Sequence, residues 1–333
     1  MKRQNTISDF FVVEKSRMKT SKGGPLGMGK FGFIAPELAQ FAYAAITALI
    51  ILFTWTGHED PASLMWQRVT ALSGTVALWI VYMLWPCRMV MACRIGYLLV
   101  MLGYWYPDTY EINKQIGSLD HIFAQWEQTI FNCQPALLFS QRFTSKVVSE
   151  LMYMGYESYY LFFIILPFIA LARYYDQLER ITFILLGSFF TCYVIFILLP
   201  VTGPQYYYLA AGIDNIANGV FPDIGKYFAD STECLTAPGW QDGPFYHLCA
   251  LMHGAGERPT AAFPSSHVAI ATLVMVICTK MRMWRMLIIL AIPYLFLCMA
   301  TVYIRAHYAI DSIAGFITGI ALFFLLGGMR LRP

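Results

Sequence analysis

Runs of hydrophobic residues, separated by short polar segments, follow one another along most of the 333-residue chain. Each run is about twenty residues long, the length that an α-helix needs to cross roughly 30 Å of hydrocarbon. The pattern predicts eight membrane spans, at 33–56, 66–85, 89–106, 150–172, 181–200, 264–281, 285–304 and 308–328. The predicted fold is an all-α polytopic membrane helix bundle, and the even number of spans places both termini on one side.

The composition agrees with a membrane protein and gives it an orientation. Hydrophobic residues make up 58% of the chain and charged residues only 13%, whereas soluble domains carry about 25% charged residues. Lysine and arginine cluster in the first 32 residues and in the connections that follow the second, fourth, sixth and eighth spans. Because short cytoplasmic loops are enriched in these residues, we expect both termini in the cytoplasm. The opposite connections, including 201–263, are then non-cytoplasmic.

The net charge and the spacing of the cysteines limit the kinds of partner and cofactor that the chain is expected to bind. The net charge of +3 is too small to indicate nucleic acid as a partner. The cysteines have no spacing typical of a metal site, so we expect no metal and no cofactor. Cys234 and Cys249 fall in the same non-cytoplasmic loop, where disulfides persist, and we predict that they pair. The segment 107–149 mixes aromatic and charged residues, which is typical of amphipathic helices at a membrane interface.

One candidate anion site lies where the long loop meets the sixth span. The sequence there reads Arg258-Pro259-Thr260-Ala261-Ala262-Phe263-Pro264-Ser265-Ser266-His267. Because proline is favoured at the first helical position, we expect Pro264 to start the helix and to place the next three residues in its first turn. The N–H groups and the positive end of the helix dipole attract anions. Arg258 could add two parallel hydrogen bonds to a phosphate.

A second cluster of ionisable residues lies at the start of the last span. His307 and Asp311 are four residues apart, so on a helix the carboxylate can accept the proton of one ring nitrogen and leave the other free to attack. An aspartate at the start of a span is costly without a partner, which favours a functional pair. Arg305, two residues before His307, either binds phosphate or extends to the membrane interface.

The predicted topology brings both clusters to the same non-cytoplasmic face. Two histidines, a carboxylate, one or two arginines and a helix N-terminus suit phosphoryl transfer through a phosphohistidine. One histidine would attack phosphorus and the other would protonate the leaving alkoxide. The arginines and the helix amides would stabilise the oxygens of the transferred group.

The segments Phe263-Pro264-Ser265-Ser266-His267 and His307-Tyr308-Ala309-Ile310-Asp311 resemble the second and third signature motifs of the type-2 phosphatidic acid phosphatase superfamily. Arg258-Pro259 resembles the end of its first motif, and the resemblance covers about residues 150–328. Members of this superfamily are membrane enzymes that act on lipid phosphates. The resemblance implies that His307 is the nucleophile, Asp311 its orienting partner and His267 the general acid. It also implies that Arg258, Ser265 and Ser266 bind the phosphate.

The motifs depart from the superfamily pattern in a way that resembles one branch. Leu251 stands where the first motif usually has a lysine, Ser266 where the second has a glycine, and Thr301 where the third has an arginine. This thinned pattern is similar to the inositol phosphorylceramide synthase-like branch, which transfers a phosphorylated head group between lipids. Further segments that resemble the branch are Thr202-Gly203-Pro204-Gln205-Tyr206-Tyr207-Tyr208, Leu119-Asp120-His121 and Gln134-Pro135.

The sequence therefore predicts a lipid phosphotransferase or phosphatase, with head-group transfer to a lipid hydroxyl favoured. A site with fewer basic ligands suits a singly charged phosphodiester better than a dianionic monoester. Hydrolysis of a phosphatidic acid-like or isoprenyl phosphate monoester is the alternative. Two other classes of protein stay open. A transporter would need ionisable groups near the middle of the membrane, whereas here they cluster at one outer end of the spans. A catalytically inactive relative would also lack the basic ligands.

The chain is expected to divide into a basic cytoplasmic tail, 1–32, a region of N-terminal spans and interfacial helices, 33–149, and a catalytic membrane core, 150–333. The expected partners are lipid substrates and the bilayer, and the expected location is a bacterial inner membrane. Tyr206, Tyr207 and Tyr208 either bind substrate or belong to an interfacial aromatic belt. Glu157 either serves the site or hydrogen-bonds a neighbouring tyrosine. Arg94 is expected to extend to the cytoplasmic surface.

Overall fold

The computed structural model describes residues 10–12 and 32–332, so most of the predicted basic tail lies outside the described residues. These residues form helices and connections, and no strand occurs among them. In chain order the α-helices are α1 (Ala35–Phe53), α2 (Pro61–Leu84), α3 (Arg88–Asn113), α4 (Asp120–Phe131), α5 (Pro135–Arg142), α6 (Lys146–Glu157), α7 (Tyr159–Arg173), α8 (Leu178–Leu198), α9 (Pro204–Ala211), α10 (Ile213–Ala217), α11 (Tyr227–Asp230), α12 (Pro244–Gly256), α13 (Ser266–Lys280), α14 (Trp284–Tyr303) and α15 (Ala309–Leu325).

Each of the eight predicted spans coincides with apolar helix. Within the described residues, six helical stretches are long and apolar enough to cross a membrane: α1, α2, α3, α6 with α7, α8 and α14. The other two, α13 and α15, are apolar but have only 15 and 17 residues. The outward faces are apolar as well, since Ile288, Ile289 and Ile292 of α14 are 65–71% exposed. Such a surface is suited to lipid rather than water. The prediction of an all-α polytopic membrane bundle is confirmed.

Two buried ion pairs join the first three helices. Arg94 of α3 donates to both carboxylate oxygens of Glu37 on α1, at 2.7 and 2.6 Å. Arg68 of α2 donates to both oxygens of Asp108 on α3, at 3.3 and 2.8 Å. All four side chains are at most 4% exposed, and charges inside a membrane bundle are tolerated when they are paired in this way. The expectation that Arg94 extends to the cytoplasmic surface is wrong, because Glu37 holds its guanidinium.

The later helices pack around α13, which contacts α7, α8, α14 and α15. Its contact with α15 is close because two glycines of α15 face the α13 backbone. A Cβ atom at Gly315 would lie 2.5 Å from the carbonyl oxygen of Ser265, and one at Gly319 would collide with the carbonyl oxygen of Ala269. The absence of side chains at these glycines lets the first turns of the two helices approach each other. We call this end of the bundle, where α13 and α15 begin, the histidine end.

Two boundaries differ from the sequence prediction for local reasons. The predicted fourth span is divided into α6 and α7 at Ser158, whose hydroxyl donates to the carbonyl oxygen of Gly155 at 2.6 Å. A serine that bonds the backbone in this way competes with the helical ladder. The sixth span begins at Ser266 rather than at Pro264, since Ser265 is the N-cap and its hydroxyl accepts a hydrogen bond from the N–H of Val268 at 3.4 Å.

The connections at the histidine end contain short helices as well as irregular stretches. They include α4 and α5 from the segment 107–149, which the sequence predicted to be helical, and α9 to α12 from the long connection before α13. Cys234 is exposed, Cys249 is buried, and both are free. The predicted disulfide between them is therefore wrong, and the thiol of Cys249 hydrogen-bonds Glu157 instead.

The Glu37–Arg94 pair gives a first prediction. Glu37→Gln leaves a buried arginine without its counter-charge, and removing one partner of a buried pair costs about 3–5 kcal/mol. We expect a clear fall in the thermal unfolding midpoint of the purified protein in detergent. Glu111→Gln is the matched control, since Glu111 pairs with Lys114 while 41% exposed, and exposed pairs contribute about 0–1 kcal/mol. Equal destabilisation by both variants would contradict the assignment.

Candidate active site

The two sequence motifs meet where α13 and α15 begin. Nε2 of His307 lies 3.3 Å from Nδ1 of His267, and Nδ1 of His307 lies 2.8 Å from the carbonyl oxygen of Ala262. Because a carbonyl oxygen only accepts hydrogen bonds, Nδ1 of His307 carries the proton and Nε2 of the neutral ring is an acceptor. The proton between the two rings then belongs to Nδ1 of His267. This geometry places a nucleophilic nitrogen opposite a proton donor.

Burial keeps the His307 ring neutral. The residue is 3% exposed, and burial lowers the pKa of His307 to about 4, although the hydrogen bond to Ala262 acts in the opposite direction. Loss of hydration disfavours the charged form of an imidazole. Only the neutral form has a lone pair on Nε2, so His307 is able to attack an electrophile near neutral pH.

Asp311 is close to His307 but does not orient it as predicted. Oδ2 of Asp311 accepts a hydrogen bond from the backbone N–H of Tyr308 at 2.8 Å and lies 3.8 Å from Nδ1 of His307. The four-residue spacing assumed a continuous helix, whereas α15 begins at Ala309. His307 therefore precedes the helix, and its Nδ1–H turns to Ala262. Asp311 caps the loop and remains near enough to stabilise positive charge on the ring.

Two tyrosines hold the His267 ring. The ring of Tyr156, from α6, stacks on it with centroids 4.6 Å apart, and the ring of Tyr159, from α7, lies 4.2 Å away. Tyr159 also hydrogen-bonds Ser266. The break between α6 and α7 lets one tyrosine from each of these helices contact the His267 ring. The sequence reading missed them, although the run Tyr156-Glu157-Ser158-Tyr159-Tyr160 was visible.

Of the four predicted phosphate-binding residues, the two serines adjoin His267, while the two arginines hydrogen-bond groups beside the histidines. Ser265 and Ser266 adjoin His267, but the Ser265 hydroxyl caps α13, and the Ser265 N–H donates to the carbonyl oxygen of Asp311 at 3.0 Å. Nη1 of Arg258 donates to the carbonyl oxygen of Glu257 at 2.9 Å. Nη2 of Arg305 donates to the Ser140 hydroxyl at 3.1 Å. The serines are thus part of the histidine site, and the arginines are held by contacts beside it.

The candidate substrate residues have partners within the fold. The Tyr207 hydroxyl donates to the carbonyl oxygen of Pro222 at 2.8 Å, and Tyr206 packs edge-on against Phe228. The ring centroid of Tyr208 lies 6.2 Å from that of Tyr308. Glu157 is buried at the end of α6, beside the thiol of Cys249.

Two further acids lie behind the histidine pair. Asp120 and Glu127, both on α4, are fully buried. The Tyr308 hydroxyl donates to Asp120 at 3.1 Å. Burial raises the pKa of Glu127 to about 8, while the backbone N–H groups of Ile310 and Ala309 act in the opposite direction. The sequence reading recognised Asp120 only within a branch-like segment and missed Glu127, because nothing in either local sequence indicates a contact with residues 308–310.

Across the described ranges, 10–12 and 32–332, no three His, Cys, Asp or Glu side chains are arranged to hold a metal ion. The positions of the two histidines suit nucleophilic and acid–base chemistry. Nε2 of His307 has a lone pair, Nδ1 of His267 carries a proton, and the first turn of α13 is an N-terminus where an anion is stabilised.

The close contact of α13 and α15 gives a second prediction. In Gly315→Ala the new Cβ meets the Ser265 carbonyl oxygen at 2.5 Å, so the two helix starts must separate where the histidines face each other. A displacement of this size costs about 100-fold in rate, measured as turnover of a lipid phosphate, the substrate class that the motifs predict. Gly187→Ala is the control, because its Cβ meets the flexible Leu326 side chain at 3.3 Å and the Phe183 side chain at 4.0 Å, and neither contact involves backbone. Unchanged turnover in Gly315→Ala would show that the spacing is not critical.

A comparison with known families agrees with the geometry. The sequence matches the family described as the PAP2 superfamily over residues 121–325, more than half of the chain. The matched range includes both histidine motifs and Glu127, and it begins one residue after Asp120. No curated protein and no solved structure matches the chain. The protein therefore belongs to the PAP2 superfamily, with the general activity of a membrane phosphatase or phosphotransferase.

Proposed function

We propose that the protein transfers a phosphorylated head group from one membrane lipid to the hydroxyl of another, at the non-cytoplasmic face of a bacterial inner membrane, through a phosphohistidine at His307. The observation that carries the proposal is the 3.3 Å approach of His307 Nε2 and His267 Nδ1. The proton assignment follows from the Ala262 carbonyl. A nucleophile and a proton donor therefore face the same small volume.

In the first step, Nε2 of His307 attacks the phosphorus of a lipid phosphodiester. The bond from phosphorus to the diacylglycerol oxygen breaks, and His267, which enters the step as an imidazolium, gives its Nδ1 proton to that oxygen and becomes a neutral ring with its proton on Nε2. The phosphohistidine ring becomes cationic because Nδ1 of His307 keeps its proton. The Asp311 carboxylate, 3.8 Å away, and the Ala262 carbonyl stabilise that charge.

In the second step, Nδ1 of His267, now unprotonated, accepts the proton of the acceptor hydroxyl. The acceptor oxygen attacks phosphorus, the bond to Nε2 of His307 breaks, and both histidines return to their starting states. Tyr156 and Tyr159 keep the His267 ring in place through both steps. The same residues would serve hydrolysis of a monoester if water took the place of the lipid hydroxyl.

The distribution of charge around the histidines supports a phosphodiester donor. The two positions where the superfamily usually has basic ligands do not supply them here. Leu251 is 69% exposed on α12, and Thr301 is fully buried, with its hydroxyl 2.9 Å from that of Ser312. The basic side chains left for the phosphate are Arg258 and Arg305. A site with few cations is better suited to a phosphodiester, which carries one negative charge, than to a phosphate monoester, which carries two.

The histidine roles give a third prediction. His307→Ala should lower turnover by about 10⁴- to 10⁶-fold, as loss of an essential nucleophile does. His267→Asn should lower it by about 10²- to 10⁴-fold, the usual contribution of a general acid, and should let the phosphoenzyme accumulate wherever its breakdown is slowed more than its formation. The measurement uses lipid labelled in the phosphate, with folding checked by size exclusion. Turnover at the wild-type rate in His307→Ala would remove the mechanism.

The acceptor gives a fourth prediction. Purified protein in mixed micelles is supplied with phosphatidylinositol and ceramide, and separately with phosphatidic acid. We expect head-group transfer to ceramide and little free phosphate, because a transferase must exclude water and admit a lipid hydroxyl. Rapid phosphate release from phosphatidic acid without transfer would instead favour a lipid phosphate phosphatase. The histidine variants serve as blanks for both reactions.

A further inference from the structure

The carboxylate of Asp120 is a hydrogen-bond acceptor shared by three segments of the histidine end. It is fully buried and accepts five hydrogen bonds. Oδ2 accepts from the Ser118 hydroxyl at 2.6 Å, from the Thr202 N–H at 2.8 Å and from the Thr202 hydroxyl at 2.9 Å. Oδ1 accepts from the Gly203 N–H at 2.9 Å and from the Tyr308 hydroxyl at 3.1 Å. Tyr308 directly follows His307, so one of these bonds reaches the loop of the nucleophile.

The residues 200–205, which we call the central segment, connect the same carboxylate to the other side of His307. The carbonyl oxygen of Val201 accepts from the N–H of Ala262 at 2.9 Å, and the carbonyl oxygen of Ala262 accepts from Nδ1 of His307. Farther along, the N–H of Gln205 donates to the carbonyl oxygen of Arg305 at 2.8 Å. The central segment thus holds the loops before α13 and before α15, and Asp120 holds the central segment.

A close backbone approach makes this connection stiff. Gly203 has φ +94°, and a Cβ there would collide with the carbonyl oxygen of Ala306, the residue before His307. The central segment therefore packs directly against the histidine loop. A shift of the Thr202 and Gly203 backbone must be transmitted to that loop, because there is no intervening side chain to absorb it.

We propose that Asp120 is a positioning residue that keeps His307 in the tautomer with its proton on Nδ1, by fixing both the Ala262 carbonyl and the Tyr308 ring. Its role in turnover rests on the proposed function, whereas its effect on the tautomer does not. Asp120 is not itself catalytic, because its buried oxygens are occupied by five donors and the Tyr308 side chain is one of them.

The sequence assigned the role of orienting His307 to Asp311 alone. The present proposal divides that role between Asp311 and Asp120. Asp311 contributes charge near the ring and caps the Tyr308 N–H. Asp120, far away in sequence, fixes the acceptor that the ring actually uses. A carboxylate is suited to this task because both of its oxygens accept hydrogen bonds and neither donates them. Every N–H and hydroxyl donor around it therefore faces an acceptor.

The test variant is Asp120→Asn, which has the same shape. One carboxylate oxygen becomes an NH₂ group that faces N–H or hydroxyl donors, so the central segment must move. We expect kcat to fall about 100-fold, as for a misplacement near 1 Å, with KM within about threefold of the wild-type value because Asp120 does not contact the substrate.

The second readout does not need activity. Full-length protein in detergent, labelled with ¹⁵N in its histidine rings, is examined by NMR, and the His307 signals are assigned with His307→Ala. The wild type should show a protonated Nδ1 and an unprotonated Nε2. Asp120→Asn should show a mixture of the two tautomers at His307. The signals of His58 should not change, because the ring of His58 contacts Thr54 and not the Asp120 network.

Matched variants separate positioning from general destabilisation. Ser118→Ala removes a donor that belongs to neither the central segment nor the histidine loop, so both readouts should stay near wild type. Thr202→Val and Tyr308→Phe each remove one hydroxyl donor and should shift the tautomer partially, and they keep the proposal testable if Asp120→Asn does not fold. The effects of Asp120→Asn and Tyr308→Phe on kcat should be less than additive, because they share one contact.

The outcomes distinguish this proposal from the proposed function. A folded Asp120→Asn variant with the wild-type tautomer overturns the positioning role, even if its melting temperature falls. A changed tautomer in protein that shows no lipid turnover, wild type included, supports the positioning role and removes the proposed function. A changed tautomer together with a fall in kcat at constant KM supports both.

Discussion

The hydrogen bond from His307 Nδ1 to the carbonyl oxygen of Ala262 is the interaction on which the site depends. Because the acceptor is a backbone carbonyl, the bond decides which ring nitrogen carries the proton. Nε2 is then the acceptor, and His267 must be the donor across the 3.3 Å gap. A single backbone atom outside both histidine residues thus determines the direction in which a proton can move between them.

That carbonyl belongs to the loop before α13, and the ring that it orients belongs to the loop before α15. The relative position of the two helix starts must therefore be fixed. Gly315 allows the α15 backbone to approach the Ser265 carbonyl, and the Ser265 N–H donates to the Asp311 carbonyl at 3.0 Å. The break at Ser158 gives the third contribution, because it turns Tyr156 and Tyr159 toward the His267 ring. Helix packing and helix interruption together produce the geometry.

The sequence was informative about features that depend on neighbouring residues, namely the hydrophobic runs and the short motifs at the helix starts. All eight apolar helical segments could be located, and so could the residues that meet at the histidine end, because proline, serine and histidine mark the start of α13 and His307 marks that of α15. What it could not give was long-range contact. The 307–311 spacing suggested a helical pair, yet the helix begins at Ala309, and the actual acceptor is 45 residues away along the chain. Arg94 was misassigned for the same reason, since its partner Glu37 lies on another helix.

Thr301 shows why the loss of a basic residue from the third motif does not by itself indicate an inactive protein. Its carbonyl oxygen accepts from the N–H of His307 at 3.0 Å, and its hydroxyl meets that of Ser312 on α15. The side chain is fully buried between α14 and α15, so an arginine there would require both space and a counter-charge. The position supports the nucleophile's loop instead of binding phosphate. A site built in this way keeps both histidines in place with few basic side chains around them, and that combination fits the phosphodiester donor that we propose.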